Sequence, residues 1–354
     1  MMTCTLDLYT DYLLSSTGPT TATGLSWRLD GALSHDHITR WLSQTIDDPA
    51  DSWRPAKPLI RQAEARRPAE EFAVLIDDDS VLEKAHIDAN ELICRHWDHR
   101  QQRYVKGLNF VSLRYQAGEL ALPIAVELVR KTVPVYQPKT QKTSYQRPFT
   151  KNEYLQQLLR VAQPQVAYRY LLADSWYASA ENMTLVRALG HHFVFALESS
   201  RTVALSDADR AQGQFQTVQS LVFPDTQPLR VYLRAVQQAV LVTRQVFTNQ
   251  DGNQGILYLV SSDTDLDQAQ LTTIYQRRWK VEEYHKSLKQ NASMGKASTK
   301  TLATQATHFF AAVLAYTKLE VLKLKCGIGH FRLKAQLYTF GLKAMYHQLG
   351  QLRA

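Results

Sequence analysis

Two apolar runs that end in carboxylates constrain this 354-residue chain more than any other feature. "EFAVLID" (71–77) leads into Asp77, Asp78 and Asp79, and "AYRYLLAD" (167–174) ends in Asp174. Runs of this length and composition read as strands. An aspartate at a strand end is, taken alone, an ordinary turn or cap residue. A third acid, Glu282, sits in "YQRRWKVEEYHKSLKQ" (275–290). Asp174 follows Asp78 by 96 residues and Glu282 follows Asp174 by 108, so only a fold can join the three.

The segments between them set the fold class. "VKGLNFVSLRYQ" (105–116) and "ALPIAVELV" (121–129) read as two more strands with "AGEL" as the turn. "TKNEYLQQLLRVAQ" (150–163) is a helix opened by a Thr150–Glu153 capping box. "ENMTLVRALG" (181–190) is a helix stopped by Gly190, and "HHFVFALES" (191–199) is a fifth strand. Three strands, a helix, a strand, a helix and a strand predict an α/β domain with a mixed sheet and helices against it. "LRVYLRAV", "AVLVTRQVFT" and "GILYLVSS", with the turn "NQDGNQG", predict a β-rich sheet inserted into that domain.

Helical patterns flank both sides. Residues 1–68 form a helical region broken at "STGPTT" and "DDPADSWRP". In it, "LSHDHITRWLSQ" (33–44) has a Ser34 cap with Ile38, Trp41 and Leu42 at helical spacing. That pattern suits a recognition helix or an amphipathic helix packed on its neighbours. The expected units are 1–68 helical, 69–214 the first part of the mixed domain, 215–264 the β-rich insertion, 265–298 the helix carrying Glu282, and 299–354 helical. "AVLAYTKLEVL" in the last unit is apolar on most sides and is expected in the core.

Composition excludes some classes. With 45% hydrophobic and 21% charged residues the chain can bury a core. The formal net charge of +8 suits a polyanionic partner such as nucleic acid without selecting it over an ordinary basic enzyme. Cys4, Cys94 and Cys326 are far apart and odd in number, which argues against a disulfide framework and for a reducing compartment. No apolar run reaches the roughly 18 residues of a membrane helix. The N-terminal stretch lacks a signal-peptide pattern, so a cytoplasmic protein is expected. "CRHWDH" (94–99) places Cys94, His96, Asp98 and His99 together, but its spacing fits no zinc pattern and it reads as a loop. The basic segment 129–147 also reads as a loop, solvated or touching phosphates.

Carboxylates gathered from strand ends and a nearby helix make a hard oxygen site suited to Mg2+ or Mn2+. Two such ions about 4 Å apart can run an in-line displacement at phosphorus. Adjacent like charges, as in Asp77–Asp79, repel unless a cation or solvent relieves them. On an ideal helix, Arg278, Glu282 and Lys289 fall about 300°, 340° and 320° from Tyr275, an arc of roughly 60°. Ile274, Val281 and Leu288 form the adjoining apolar stripe, at about 260°, 240° and 220°. The charged face therefore borders the buried one instead of opposing it, with Arg278 and Lys289 as phosphate-binding cations.

The spacing Y-x2-R-x3-E-x6-K resembles the signature of a group of bacterial insertion-sequence transposases of the DDE class. "IDDDSVLEKAHIDANELICRHWDH" (76–99), "LLADSWYASAENM" (171–183) and "LYTDYLLSSTGPTTATGLSWRLDGALSHDHITRWLSQ" are similar to the same family, in order along nearly the whole chain. The resemblance implies an RNase H-like catalytic domain with a β-rich insertion before the glutamate helix. It implies Asp78, Asp174 and Glu282 as the metal-binding catalytic acids. Asp78-Asp79-Ser80 fits the family's Asp-x-Ser/Thr pattern best, with Asp77 and Asp79 as alternatives. Tyr275, Arg278 and Lys289 are then implied to hold phosphates near the cleaved end.

Implied too are two Mg2+ ions with Mn2+ able to substitute, double-stranded DNA at transposon ends and target, and a homodimer in the synaptic complex. Some relatives hold a flipped base on aromatics, for which Trp176, Tyr177 and Trp279 are candidates beside a plain packing role. The helical region 1–68 is implied to bind end DNA, beside a plain packing role, and Arg230, Arg234 and Arg244 on the insertion would contact end DNA or face solvent. A nuclease that cuts without joining and a non-catalytic DNA-binding relative are the competing readings.

Overall fold

The computed structural model describes residues 2–44, 53–98, 101–139, 141–224, 227–248, 252 and 254–353. Most of the expected break at 47–55 and of the turn at 249–255 lies outside the described residues, as does His99.

The body is built on one eleven-stranded mixed sheet. Strand β1 (Val74–Glu83) pairs antiparallel with β3 (Arg103–Ala117) on one side and parallel with β7 (Tyr170–Ala173) on the other. β7 pairs parallel with β8 (His192–Leu197). β4 (Leu120–Val129) and β2 (Cys94–Asp98) share the far edge of β3, both antiparallel. Three antiparallel strands followed by two parallel ones make the RNase H-like mixed sheet. β1 and β3 approach so closely that a Cβ on Gly107 would lie 2.2 Å from the Leu82 carbonyl oxygen, so the position admits only glycine.

Three expectations are corrected. The β-rich insertion is not a separate sheet: β13 (Gln254–Ser261) pairs with β8, and β12 (Ala239–Thr248), β11 (Leu229–Leu233), β9 (Thr202–Ala204) and β10 (Gln216–Thr217) continue outward. They occupy the edge that β8 would otherwise leave open. Residues 94–98, read as a loop, are the edge strand β2. The basic loop at 129–147 contains a two-stranded ribbon, β5 (Val133–Gln137) with β6 (Lys142–Gln146).

Alternation along the strands separates two cores. Val74 and Ile76 pack in one cluster with residues of α1 (Leu6–Ser15), α3 (His35–Leu42), α8 (Gln268–Gln276), α9 (Lys280–Gln290) and α10 (Leu302–Cys326). Ala73 and Leu75 pack in the other with α4 (Trp53–Arg66), α5 (Lys151–Ala162) and α6 (Ala180–Ala188). The short helices α2 (Ala22–Arg28) and α7 (Asp207–Ala211) and the long α11 (His330–Arg353) complete the described α-helices.

The cap expected at Ser34 and the Thr150–Glu153 capping box are both present. Ile38 and Leu42 of α3 are buried, and Trp41 rests on Tyr9, so its apolar stripe serves the core. The first helices do not stand apart. The Tyr9 hydroxyl lies 2.9 Å from His308 Nδ1 on α10, and Ser293 Oγ donates to the Leu13 carbonyl at 2.8 Å. Lys318 pairs with Asp7 and Asp11 at 2.6 and 2.7 Å. α10 is buried around most of its circumference, as its composition predicts. Among the described residues no helix is long and apolar enough to cross a membrane.

Candidate active site

β1 does not end at its acids. It runs through Asp77, Asp78 and Asp79 to Glu83, held throughout by β3. Its parallel pairing with β7 stops at Ile76–Leu172, so the aspartates lie where β1 has outrun its neighbour. That register pairs Val74 with Tyr170, an offset of 96 residues, and Asp174 follows Asp78 by the same 96. The two are therefore level. β7 ends because the Asp174 side chain caps the 3-10 turn Ser175–Tyr177, accepting from Trp176 N at 3.0 Å.

Period-two alternation sorts the three aspartates. Asp78 shares its face with Val74 and Ile76, the side covered by α8 and α9. Asp79 points to the opposite face, where Lys151 Nζ meets it at 2.6 Å and the Tyr177 hydroxyl donates to it at 3.0 Å. Asp77 also points there. It is fully buried, neither carboxylate oxygen has a hydrogen-bond partner among the described residues, and burial pushes its pKa well above the carboxylate range. A neutral acid is what such a place tolerates.

Arg278 joins the two level acids. Its Nη2 lies 3.3 Å from Asp174 Oδ2 and 3.7 Å from Asp78 Oδ1. Burial pushes the Asp78 carboxyl up to about 8, with Arg278 pulling it down and Asp79 and Asp174 pushing it further up. Asp174 is raised by burial, again against the pull of Arg278. Burial works against the Arg278 charge too, yet Tyr275, Asp78, Asp174 and Glu282 together hold its pKa above the ordinary value. Tyr275 is buried beneath the guanidinium, its ring centre 6.0 Å from Cζ, and burial pushes its hydroxyl up to about 12.

The expected single helix is broken. α8 gives way to a 3-10 turn at Arg277–Trp279 before α9 begins. A tighter turn of three residues advances everything after it by about 60° relative to Tyr275. The four signature residues accordingly meet different surroundings. Tyr275 is buried, Arg278 and Lys289 are partly buried, and Glu282 is exposed. Lys289 Nζ donates to Ser80 Oγ at 2.9 Å and to the Val81 carbonyl at 3.2 Å, tying α9 to β1 just beyond Asp78.

Hard carboxylate oxygens, one buried and raised, favour a positive charge between them, and Arg278 supplies one. A divalent cation would meet the same demand more strongly, so Asp78 and Asp174 fit such an ion. Glu282 is exposed on α9 with its charge acting on Arg278, and no three His, Cys, Asp or Glu side chains among the described residues stand close enough together to hold a metal.

Trp176 and Trp279 are 52% and 49% exposed, with Lys151 Nζ 5.8 Å from the first ring and Phe247 6.0 Å from the second. Tyr177 is fully buried with its hydroxyl committed to Asp79, which removes it as a stacking surface. Arg230, Arg234 and Arg244 are exposed on and beside the inserted strands; Arg234 covers Phe215 and Arg244 covers Phe223.

Three neighbours escaped the sequence reading. His285 Nδ1 is 3.8 Å from Asp78 Oδ2, and burial pushes its pKa down to about 3, so the ring is neutral. Its position on an ideal helix, about 280° from Tyr275, already lay beside Arg278. Arg114 of β3 donates from Nη1 to the Lys280 carbonyl at 2.8 Å, at the start of α9. Lys151 pairs with Asp79 across 72 residues, for which no local signal exists.

Two family models match this chain. One, described as a DDE superfamily endonuclease, matches residues 2–217, more than half of it. The other, described as a transposase DDE domain, matches residues 150–318. Between them they run from the N-terminal helices into α10. No curated protein matches the chain significantly.

Proposed function

This chain belongs to the DDE transposase superfamily, and on that premise we propose that it cuts DNA at transposon ends and joins the freed end to target DNA. Asp78, Asp174 and Glu282 are the proposed catalytic carboxylates. In the cutting step a water oxygen forms a bond to phosphorus and the bond to the 3′-oxygen breaks, leaving a 3′-hydroxyl and a 5′-phosphate. In the joining step that 3′-oxygen attacks a target phosphorus and displaces the target's own 3′-oxygen. Asp78 and Asp174, with the exposed Glu282 as the third acid, would hold two Mg2+ ions, or Mn2+ in their place, which would supply activation of the attacking oxygen and stabilisation of the leaving one.

The chain's own residues have separate tasks. Arg278, Lys289 and Tyr275 hold phosphates next to the scissile bond, Arg278 by a planar fork suited to phosphate oxygens. His285, neutral and buried, keeps water from the inner side of Asp78. Trp176 and Trp279 offer exposed rings for an unstacked base. Arg230, Arg234 and Arg244 meet the phosphates of end DNA, and two copies of the chain bring two ends together.

The observation that carries this reading is the level pair Asp78 and Asp174 with Arg278 between them. Its test is purified protein with Mg2+ and a labelled duplex of its own terminal inverted repeat, beside Asp174→Ala and Glu282→Ala. Cleavage at the end that both changes abolish, with product joined to a target plasmid, is the expected result. Cleavage without joining would favour a nuclease, the reading that the endonuclease description of the first match keeps open.

A further inference from the structure

We propose that the β5–β6 ribbon is a DNA-reading arm that lies in the major groove of the duplex beside the scissile phosphate. The inference rests on the proposed function for its partner, a DNA duplex, and goes beyond it in naming the element and the groove.

Charge is the first argument. Between Glu127 and Glu153 the chain carries Arg130, Lys131, Lys139, Lys142, Arg147 and Lys151 and not one acidic residue. Such a segment attracts a polyanion. Exposure is the second. Val133, Pro134, Tyr136, Gln137, Lys142, Thr143, Tyr145 and Gln146 are exposed, on both faces of the ribbon. A two-stranded ribbon alone is marginal in water, so one that covers no core calls for another reason to exist.

Shape is the third. Two paired strands about 4.8 Å apart fit with their side chains into a groove about 12 Å wide. Five residues per strand reach about 17 Å, or about five base pairs. The register places Gln137, Lys142, Ser144 and Gln146 on one face, with Val133 and Val135, and Pro134, Tyr136, Thr143 and Tyr145 on the other. Amide, ammonium and hydroxyl groups are those that read base edges. Strand addition by a protein partner is disfavoured, because Pro134 lacks an N–H and lysines flank the turn.

Position is the fourth. β4 leads into the ribbon at Val129, which pairs with Asn109; Asn109 pairs in turn with Val81, three residues beyond Asp78. The root is fixed on both sides. Lys131 N donates to the Glu91 carbonyl and Lys131 Nζ to the Arg95 carbonyl, each at 2.8 Å. The chain returns through the Thr150 cap to Lys151, which pairs with Asp79. The ribbon therefore springs from the carboxylate end of the sheet.

The test compares wild type, Lys142→Ala/Ser144→Ala/Gln146→Ala and Lys139→Ala/Arg147→Ala, without divalent cation so that binding is read apart from cleavage. Fluorescence anisotropy across a salt series uses the inverted-repeat duplex, a scrambled duplex and an RNA duplex; dimethyl sulfate protection reports guanine N7 in the major groove. The face variant should lose on the order of tenfold affinity for the inverted repeat over the scrambled duplex, and its guanine protection. The Lys139/Arg147 variant should weaken both DNA duplexes and lower the salt slope by about two. Unchanged melting temperatures are expected, since the substituted side chains lie outside both cores.

Variants that bind and protect like a wild type that still cleaves its ends would overturn the arm and leave the proposed function standing. Losses that are equal on the RNA duplex would overturn the DNA partner, because an A-form major groove is too deep and narrow to enter. A wild type that neither binds nor cleaves the inverted repeat would overturn both readings.

Discussion

Arg278 Nη2 lies 3.3 Å from Asp174 Oδ2 and 3.7 Å from Asp78 Oδ1, so one guanidinium spans the two acids that the sheet register makes level. The cation stands where acids of this kind call for positive charge. Arg278→Ala should leave a buried and a partly buried carboxylate facing each other. A stability loss of about 1–3 kcal/mol is expected by urea denaturation, limited by protonation of Asp78. End cleavage should fall by about a hundredfold or more. Wild-type stability and activity in this variant would make the contact incidental.

The three adjacent aspartates should behave differently when changed to asparagine. Asp78→Asn should abolish cleavage and leave the melting temperature nearly unchanged or raised, since burial already opposes its charge. Asp79→Asn should lose the Lys151 pair and destabilise by about 1–3 kcal/mol. Asp77→Asn keeps a neutral group in a buried place and should be the mildest for cleavage. Equal loss of cleavage across the three, at equal stability, would contradict this assignment.

Acid should loosen the joint between the first helix and α10. His308 is buried, and burial pushes its pKa down to about 4, with Lys84 adding to the effect. Its Nε2 lies 3.1 Å from the Ser293 carbonyl, which can only accept, so Nε2 carries the proton and Nδ1 accepts from Tyr9. A lowered histidine pKa means that the unfolded chain binds the proton first. The stabilisation is whole above the unfolded value of about 6.5 and is lost as pH falls through the folded value of about 4. The loss is on the order of 3 kcal/mol, and His308→Gln should flatten that part of the pH–stability curve. An identical curve for the variant would remove His308 from the explanation.

Gly107→Ala should be among the most damaging single changes outside the acids. Its Cβ would meet backbone on a paired strand, which cannot swing aside as a side chain can. Destabilisation of about 3 kcal/mol or more is expected, with loss of soluble protein on expression. A variant that melts as wild type does would show that β1 and β3 can part locally.

Much of this was legible in the chain. Strands β1, β3, β4, β7 and β8 announce themselves as apolar runs because both of their faces meet helices or neighbours. Alternation by two already separates Asp78 from Asp77 and Asp79 once one face is assigned. The ribbon was missed because it buries nothing, and periodicity detects only what is buried. β2 reads as polar because it lies at an edge, its partner supplied by β3. The 3-10 turn at 277–279 carries no Pro or Gly; the Lys280 carbonyl at its end accepts from Arg114, a contact 166 residues away that no local pattern reveals. Glu282, expected with the other two acids, is exposed on α9, and its charge acts on Arg278, which joins them.

The clasp between α1 and α10 has a consequence for synthesis. A ribosome releases the chain from its N-terminus, so the first helices emerge long before Ser293, His308 and Lys318, the residues that grip them. Asp78 and Asp174 can be set level once β7 has formed, but the guanidinium that joins them arrives a hundred residues later, at 278. A nascent or prematurely ended chain thus carries the acids without their cation and the first helices without their seat. Such a fragment would be open to proteases, and the complete arrangement would appear only once α10 has been made.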